Sequence, residues 1–394
     1  MPWQESSVVS QREEFVLRSL HDRNAFRELC RQYGIAPKTG YKWRRRFLQF
    51  GIQGLHDESR RPHRSPNGLD EAAVCEVVRL RRLHPTWGAR KLKWLYQRIH
   101  KTAPTPSESS FKRVLERTGL AEERRRRRVA DTGRLQSRLV AERPNELWTV
   151  DFKGWWYTPL GQRCEPLTVR DAFSRYVLCV SIPADAQTGT IRIQFERLFE
   201  QYGLLQTIRS DNGRPFAVST APLGLSRLSA WWLALGIDLD RIDPGHPQQN
   251  GAHERMHRDI AAELEHRIDG NLEEHAAAAE LWRHGYNHER PHEALGMRPP
   301  AEVYQRSPRR YTGTPEQLEY PPEYLDRKVS PKGYIKIKNC NISLTTALSG
   351  WNVGLKRIGE ELYAVYFGRL CLGRVDVPAQ AFETHRPEAQ ESSS

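Results

Sequence analysis

Apolar side chains recur at helical spacing through the first fifty residues, between short polar breaks. The spacing predicts helices at Glu13–Leu20, Asn24–Tyr33 and Pro37–Phe50, with Gly34 supplying a turn. The third helix has aromatic residues on one side and basic residues on the other, as a recognition helix in a DNA major groove requires. We therefore predict a helix-turn-helix domain over residues 10–53. Its candidate DNA-contacting residues are Lys38, Thr39, Lys42, Arg44 and Arg45.

The same design repeats after a stretch rich in Pro, Arg and Gly. Helices are predicted at about Asp70–His84 and along the apolar stripe from Leu92 to Ile99, and Ser107 can cap a third helix that ends near Gly119. A second helix-turn-helix domain, of a winged-helix-like kind, is expected over residues 69–120. The outward candidates on its third helix are Ser109, Lys112 and Arg113.

Five consecutive arginines, residues 124–128, follow this domain. Like charges at this density resist folding alone, so residues 121–143 are predicted to be a basic linker that tracks phosphate groups, with Arg124 and Arg126 as contacts. A solvated spacer would have the same sequence, and the two interpretations are compatible.

From Asn145 the pattern changes to alternating strands and helices. Strands are predicted at Leu147–Phe152, Glu165–Arg170, Tyr176–Ile182, Leu205–Ser210 and Ile237–Ile242, and helices at Thr190–Tyr202, Leu225–Leu235 and Asn250–Ile268. Three strands followed by helix–strand–helix–strand–helix indicate one mixed α/β domain.

Short alternating runs return near the end of the chain. They predict strands at Tyr334–Lys338, Trp351–Lys356, Leu362–Phe367 and Leu370–Val375. Strands this short and this closely spaced favour a small β-barrel of the SH3-like kind over residues 320–386.

The net charge of +13 is confined to the front of the chain. Residues 1–143 hold 32 Lys and Arg against 16 Asp and Glu, a net +16, whereas residues 144–394 hold 29 against 32, a net −3. A basic front joined to a nearly neutral body is typical of a DNA-binding segment attached to a catalytic domain.

Other classes of protein are disfavoured. No run of about eighteen apolar residues could span a membrane, and the polar N-terminus lacks the apolar core of a signal peptide, so we expect a cytoplasmic protein. The six cysteines are scattered without a C-x-x-C pair, which predicts reduced thiols and argues against a structural zinc site.

Three acidic residues stand out by their placement. Asp151 lies in the first predicted strand, where an apolar setting makes a carboxylate costly unless a metal compensates it. Asp211 follows the fourth strand in a Ser-Asp-Asn-Gly loop. Glu254 lies in the first turns of the long helix, about 160° from Met256 and therefore off its buried stripe. The three carboxylates could meet at one edge of the sheet.

Each acid also has an ordinary structural explanation. The loop at Asp211 is a good turn by itself, and the helix dipole favours a glutamate such as Glu254 near a helix start. Only the combination of the three indicates catalysis.

Five motifs give the region from Pro144 to about Tyr304 a specific signature. They are Trp148-Thr149-Val150-Asp151, Asp171-Ala172-Phe173-Ser174-Arg175, Ser210-Asp211-Asn212-Gly213, the run Pro244–Arg255 and the run Tyr286–Gly296. Through them the chain resembles the integrase-core transposases of bacterial insertion sequences, relatives of the retroviral integrases. The Pro85–Leu92 stretch resembles the second helix-turn-helix of one branch of these transposases. The C-terminal strands resemble, more weakly, the barrel of phage-Mu-like transposases.

The resemblance implies a multidomain fold with N-terminal all-α helix-turn-helix units, an α/β ribonuclease-H-like catalytic core over residues 144–305 and a C-terminal small β-barrel. It assigns the family's acidic triad, for catalysis and metal binding, to Asp151, Asp211 and Glu254. The 42 residues between the last two acids include a surplus, which we expect in the Val218–Ser229 region. The retroviral zinc-binding domain is replaced by the helix-turn-helix units.

The implied reaction is nicking at the 3′ ends of a mobile element, followed by attack of the freed hydroxyls on target DNA. Two Mg²⁺ ions would support it, and Mn²⁺ is expected to substitute. His246, Gln248 and Asn250 are candidates for positioning DNA ends, although His246 could equally pack the loop. Asp171 and Arg175 are expected to brace the sheet.

The expected partners are double-stranded DNA, at element ends and at target sites, and further copies of the chain, since two ends must be brought together. The expected location is the bacterial cytoplasm, at the nucleoid, without membrane contact. One alternative is a transposase-derived DNA-binding regulator without catalysis. Another is a ribonuclease-H-like nuclease without strand transfer, which tandem helix-turn-helix units make less favourable, because a nuclease acting on generic duplex has no need of sequence readout.

Overall fold

The computed structural model describes residues 7–21, 25–58, 68–121, 139–243, 246–265 and 268–384. The chain divides into two compact units, residues 1–70 and residues 71–394, and each has its own core. All six cysteines are free thiols, as predicted. Among the described residues, no helix is both long and apolar enough to cross a lipid bilayer.

The first unit is a set of helices around a small aromatic core. Helices α1 (Val8–His21), α2 (Phe26–Gln32) and α3 (Pro37–Phe50) are followed by a 3₁₀ turn at Gly51–Leu55. The core residues are Phe15, Val16, Phe26, Cys30, Trp43 and Leu55. Gly40 lets α3 approach closely, since a Cβ there would lie 2.9 Å from both Cys30 Sγ and Phe15 Cζ. The third predicted helix has the predicted bounds.

A second group of helices opens the larger unit. Helices α4 (Glu71–Leu83), α5 (Ala89–Ile99) and α6 (Glu108–Arg117) enclose Val77, Leu80, Leu92, Tyr96, Phe111 and Val114. Ser107 caps α6 as predicted, accepting a hydrogen bond from the Ser110 backbone at 3.2 Å. The apolar stripe was extended too far, because Ile99 in the last turn of α5 is exposed. Residues 68–121 contain no strand that could form a wing.

A five-stranded mixed sheet forms the centre of the larger unit. Its strands are β1 (Leu147–Phe152), β4 (Leu167–Asp171), β5 (Val177–Ser181), β6 (Thr207–Ser210) and β7 (Asp238–Arg241), and a short hairpin of β2 (Trp156–Tyr157) and β3 (Arg163–Cys164) follows β1. The order across the sheet is β5-β4-β1-β6-β7. Strand β4 runs antiparallel to both of its neighbours, β5 and β1, whereas β1, β6 and β7 run parallel to one another.

Helices cover both faces of this sheet. Helices α7 (Thr188–Tyr202) and α8 (Arg227–Ala234) pack on Trp148 and Val150. On the other face, α9 (Gly251–Ile260) and α10 (Leu272–His288) pack beside Val177 and Val180. The alternation of β1 therefore sends Trp148, Val150 and Phe152 to the first face and leaves Thr149 and Asp151, with Leu147, for the second.

The predicted single helix Asn250–Ile268 is wrong in two respects. It starts from a 3₁₀ turn at Pro247–Asn250, and beyond Ile260 the backbone continues as a π-helical turn at Ala261–Glu265. Within that turn, Glu263 accepts hydrogen bonds from the Trp282 indole at 2.5 Å and from Arg290 at 2.9 Å. Helix α10 was not predicted, because its buried residues, His275, Ala279, Tyr286 and Asn287, include only one large apolar side chain.

The C-terminal region is an antiparallel sheet with an added hairpin. The strands are β8 (Tyr324–Lys328), β9 (Tyr334–Ile337), β10 (Cys340–Ser343), β11 (Asn352–Arg357), β12 (Leu362–Phe367), β13 (Leu370–Asp376) and β14 (Ala381–Thr384). The sheet order is β14-β13-β12-β11-β8, and the β9–β10 hairpin lies against both edge strands, β8 and β14. The four predicted strands are present, whereas β8, β10 and β14 were missed.

Candidate active site

Strand β1 determines where the first acid lies. Trp148 and Val150 are fully buried on the α7–α8 face, so Thr149 and Asp151 point to the α9 face. The hydroxyl of Thr168, directly across the β1–β4 pair, donates to the Asp151 main-chain carbonyl at 2.9 Å. The Asp151 side chain is left half-buried and facing the helix that carries Glu254.

The second acid comes from the neighbouring parallel strand. Thr149 in β1 lies opposite Arg209 in β6, so the same register carried two residues further sets Asp211 beside Asp151, on strands about 5 Å apart. Asp211 begins the loop after β6 and accepts a hydrogen bond from the Gly213 backbone at 3.1 Å. The carboxyl ends of parallel strands are the usual place for a functional loop.

The third acid lies on α9. Glu254 is exposed, whereas Met256 and Ile260 on the same helix are buried, as the helical spacing predicted. Its charge reaches Asp151. Burial raises the pKa of Asp151 to about 7, and the negative charges of Asp211 and Glu254 add to the rise.

None of the three carboxylates forms an ion pair with a basic side chain in the described part of the chain. Burial lowers the pKa of Arg241 to about 10, and the negative charge of Asp211 partly offsets this decrease. The guanidinium of Arg241 donates to main-chain carbonyls and not to Asp211. As the side chains stand, no group of three or more His, Cys, Asp or Glu residues within the described ranges is gathered to hold a metal ion.

The donor set nevertheless fits a hard divalent cation. Carboxylate oxygens are the ligands that Mg²⁺ prefers, and a cation would relieve the repulsion that raises the pKa of Asp151. Because Glu254 is exposed, it is free to change rotamer toward the two aspartates.

A buried histidine pair fixes α9 to the sheet beneath the acids. His253 is fully buried, with one ring nitrogen 2.7 Å from Thr149 Oγ1 and the other 2.7 Å from Thr168 Oγ1. His257, one turn later, lies 2.7 Å from the same Thr168 hydroxyl. Burial lowers the pKa of both rings, that of His257 to about 4, so both are neutral.

The sequence held a signal for this pair that we did not use. His253 and His257 share the helical spacing of Met256, Ile260 and Leu264, which assigns them to the buried stripe. The network they form runs from the Asp151 main chain through Thr168 to the residue before Glu254.

Asp171 has the bracing role that we expected, whereas Arg175 forms no hydrogen bond or ion pair with the sheet among the described residues. The Asp171 carboxylate is fully buried and accepts hydrogen bonds from the Asn145 backbone at 2.7 Å and from the Ser174 backbone and hydroxyl at 2.7 and 2.5 Å. Burial raises the pKa of Asp171 despite these donors.

The predicted DNA-contacting residues of the first unit lie on α3. Lys38, Lys42 and Arg45 are exposed, while Thr39 and Arg44 are half-buried. Lys42 also lies over the ring of Trp43, 4.6 Å from its centroid. The arrangement is compatible with groove binding, and the individual contacts remain predictions.

The other predicted DNA contacts are divided among several places. Ser109, Lys112 and Arg113 are exposed on α6, whereas Arg124 and Arg126 lie outside the described residues. His246 and Asn250 bracket the 3₁₀ turn before α9, with His246 half-buried and Asn250 buried. Gln248 belongs to that turn, and its side chain lies outside the described part of the structure.

Matches to known families bear directly on this region. The family described as "Integrase core domain" matches residues 141–247 and, in a second form, residues 235–300. The chain carries an integrase core. Ahead of this integrase core, "Helix-turn-helix domain" matches residues 11–63 and "Homeodomain-like domain" matches residues 39–115. The predicted multidomain fold, with helix-turn-helix units before a mixed α/β core, is confirmed.

Relatives of this integrase-core protein occur in bacterial insertion elements. An uncharacterized 39.2 kDa protein of insertion element IS476 from Xanthomonas euvesicatoria is 27% identical over 259 residues, which are 64% of this chain and 70% of the relative. An uncharacterized 31.7 kDa protein of IS407 from Burkholderia multivorans is 26% identical over 238 residues, 60% of this chain and 82% of the relative. The resemblance to integrase-core transposases of insertion sequences is confirmed, and with it a transposase or integrase function.

Two solved structures are also similar to the integrase core. The catalytic core domain of BIV integrase covers 41% of this chain and 93% of its own length, at 22% identity and a TM-score of 0.32. The catalytic core domain of HTLV-2 integrase in complex with magnesium covers 42% of this chain and 100% of its own length, at 15% identity and a TM-score of 0.34. Because both TM-scores are below 0.5, the assignment of the fold rests on the strand order β5-β4-β1-β6-β7 and not on these structures.

Proposed function

We propose that this protein is a DNA transposase that nicks DNA at the ends of its element and transfers the freed 3′-hydroxyls into target DNA. Asp151, Asp211 and Glu254 are its catalytic acids. The observation that carries the proposal is that Asp211, after the parallel strand next to Asp151, and Glu254, on α9, both lie near enough for their charges to raise the pKa of the buried Asp151. No basic side chain among the described residues forms an ion pair with any of them, although the charge of Arg241 interacts with that of Asp211.

The roles of the acids follow from the elements that hold them. Asp151 and Asp211 are fixed by adjacent strands, whereas Glu254 approaches from a helix whose position is set by His253. The integrase core family is generally dependent on divalent metals. Mg²⁺ or Mn²⁺ bound by these three side chains would activate a water or a DNA hydroxyl and stabilise the leaving oxygen of the displacement. Without a cation, Asp151 is partly protonated at neutral pH.

The helix-turn-helix units would recognise the element ends. Two such units, each with exposed basic residues on its third helix, can read two adjacent stretches of duplex DNA. Since two ends must be joined in one complex, we expect at least a dimer on DNA.

The test uses full-length protein and labelled duplexes taken from both DNA flanks of its gene, in Mg²⁺ and in Mn²⁺. We expect nicked strands and strand-transfer products. Asp151→Asn, Asp211→Asn and Glu254→Gln should each lower product formation by at least about a thousandfold, since several kcal/mol of transition-state stabilisation is lost. DNA binding by these variants should be retained.

Two matched substitutions control for the loss of an acid elsewhere. Asp238 and Glu200 are exposed and lie away from the three acids, so Asp238→Asn and Glu200→Gln should react like the natural chain. End binding without any product in either metal would favour a DNA-binding regulator. Nicking without joined products would favour a nuclease.

A further inference from the structure

An arginine-lined cleft lies on the α9 face of the sheet, beside the three acids. Its volume is about 680 Å³, and it is bounded by the start of α9, by the turn after β4 and by residues 294–303. Thr149 contributes to its wall and lies two residues before Asp151 on the same face of β1, a separation of about 7 Å. A strand of DNA at the acids would therefore pass close to the cleft.

The charge of the cleft is entirely positive. Among the described residues that line it there are four arginines, Arg170, Arg175, Arg209 and Arg298, and no acidic side chain. Arg209 is paired with Asp240 in β7 at 2.6 Å. The other three form no ion pair with a carboxylate within the described ranges, and the guanidinium of Arg298 donates only to the Leu295 carbonyl, at 3.3 Å.

Two buried side chains in the wall have donors without partners. Arg170 is 3% exposed and donates from one terminal nitrogen to the Ala252 carbonyl at 2.6 Å, but its Nε has no acceptor among the described residues. Asn250 is 5% exposed, and its side-chain amide nitrogen likewise has none. Buried donors of this kind cost stability unless an acceptor reaches them.

The positive charge around the cleft also lowers the pKa of a neighbouring histidine, His292. His292 is held neutral mainly by burial, and Lys91, Arg290, Arg170 and Arg175 all lower its pKa further, to about 2. Arg170 itself keeps its charge, because burial lowers its pKa only to about 10. An anion in the cleft would offset this accumulation.

We propose that the cleft binds a backbone phosphate of the DNA strand that enters the active site, with the half-buried Arg175 and the exposed Arg298 as its main contacts. The buried Arg170 and Asn250 supply further donors. The proposal rests on the proposed DNA transposase function. Guanidinium groups match phosphate in geometry as well as in charge. Leu139–Ala141, which also border the cleft, belong to the segment 121–143 that the sequence predicts to track phosphate.

The test measures how DNA binding depends on salt. The full-length protein is titrated, in EDTA, against a labelled 30-base-pair duplex from the gene's flank at several NaCl concentrations. Each lost phosphate contact should lower the slope of log K against log salt by about 0.9. We expect this decrease in Arg298→Gln and in Arg175→Gln. We expect no change in Arg197→Gln, an exposed arginine on α7 that does not border the cleft.

Further variants separate this test from folding and from catalysis. Arg298 is exposed, so its replacement leaves the melting temperature unchanged, and Arg175→Lys should restore most of the slope lost in Arg175→Gln. EDTA removes any dependence on the three acids, so a failed strand-transfer assay would not affect the outcome.

Unchanged slopes in both glutamine variants would overturn the proposal. Binding of free phosphate instead of DNA would also overturn it. In that case inorganic phosphate would raise the melting temperature of the natural chain but not of the two variants, and the salt dependence of DNA binding would be the same in all three proteins.

Discussion

Ionising the Asp151 carboxylate is costly in the metal-free protein, because the side chain is buried and lies near two other negative charges. Its pKa of about 7 lies well above the ordinary 3.8, so the folded chain takes up a proton that the unfolded chain releases between those values. The stability that this proton contributes is present below pH 4 and is lost as the pH rises to about 7.

Asp151→Asn should therefore stabilise the metal-free protein at high pH. In EDTA at pH 8 we expect the variant to melt a few degrees above the natural chain, because the repulsion with Asp211 and Glu254 is gone. The gap should shrink at pH 5. Mg²⁺ should raise the melting temperature of the natural chain and not of the variant. Equal melting curves at both pH values would contradict this account of the site.

His253 is predicted to position Glu254 and not to touch DNA. His253→Ala removes two short hydrogen bonds and leaves a cavity, so the free energy of unfolding should fall by about 2–4 kcal/mol in urea titrations. Strand transfer should fall while the dissociation constant for DNA stays the same. His284→Ala, at an exposed position on α10, is the control. Weaker DNA binding in His253→Ala would point to a direct contact instead.

At the scale of residues, the sequence predicted the acidic residues but not the hydrogen bonds that hold α9 against the sheet beside them. Asp151 and Asp211 could be found because strand alternation and a loop after a strand fix their surroundings locally. The partners of His253 lie 85 and 104 residues away on two strands. Contacts at that separation depend on strand pairing, which one sequence does not determine.

At the scale of elements, Gly40 allows helix α3 to pack closely against α1 and α2. Gly→Ala inside a helix normally gains about 0.5–1 kcal/mol. At Gly40 the new Cβ would come within 3.0 Å of Cys30, Phe15 and Phe26, so we expect Gly40→Ala to destabilise the first unit and weaken DNA binding. Gly285→Ala, in α10 with nothing within 4 Å, should instead stabilise the protein. Thermal melts with circular dichroism of both variants decide the sign.

Arg290 joins three elements of the larger unit. It is 3% exposed and pairs with Asp259 on α9 at 2.8 Å and with Glu263 in the π-helical turn at 2.9 Å. Glu263 is also hydrogen-bonded to Thr86, in the turn before α5. Arg290 and Glu263 together thus link the turn before α5 to the helix of Glu254.

Arg290→Met keeps the volume of the side chain and leaves two shielded carboxylates without their cation. The free energy of unfolding should fall by about 3–5 kcal/mol. Hydrogen exchange should rise in α5 and α9 together, because both lose the same anchor. Arg310→Met, at an exposed position, should change neither quantity. Faster exchange in α9 alone would show that the two elements are not coupled through Arg290.

The elements themselves were predicted where periodicity was strong. Strands β1 and β12 and helix α3 have the predicted bounds. Helix α10 was missed because Tyr286 is the only large apolar side chain on its buried face, beside His275, Ala279 and Asn287. The π-helical turn was missed because its cause lies in long-range contacts of Glu263 and not in the local sequence.

At the scale of the whole molecule, the distribution of charge matters more than its sum. The last 251 residues carry a net −3, and yet their arginines line one cleft that has no acid among its described walls. A net charge reports long-range attraction to DNA, whereas a cleft of one sign decides where a phosphate is held. Composition could predict the first, and only the folded chain shows the second.

Helix α8 contributes side chains to two separate hydrophobic cores. Leu228, Trp231 and Trp232 belong to the core of the integrase sheet, and Ala230 and Ala234, with Leu225 just before the helix, belong to that of the C-terminal sheet. The Val218–Ser229 region, where we expect the surplus residues between Asp211 and Glu254, includes the first turn of this helix. In the history of the family, the C-terminal sheet could then be gained or lost only together with changes on this helix. Among relatives, positions 225, 230 and 234 should become polar in the lineages whose chains lack that sheet.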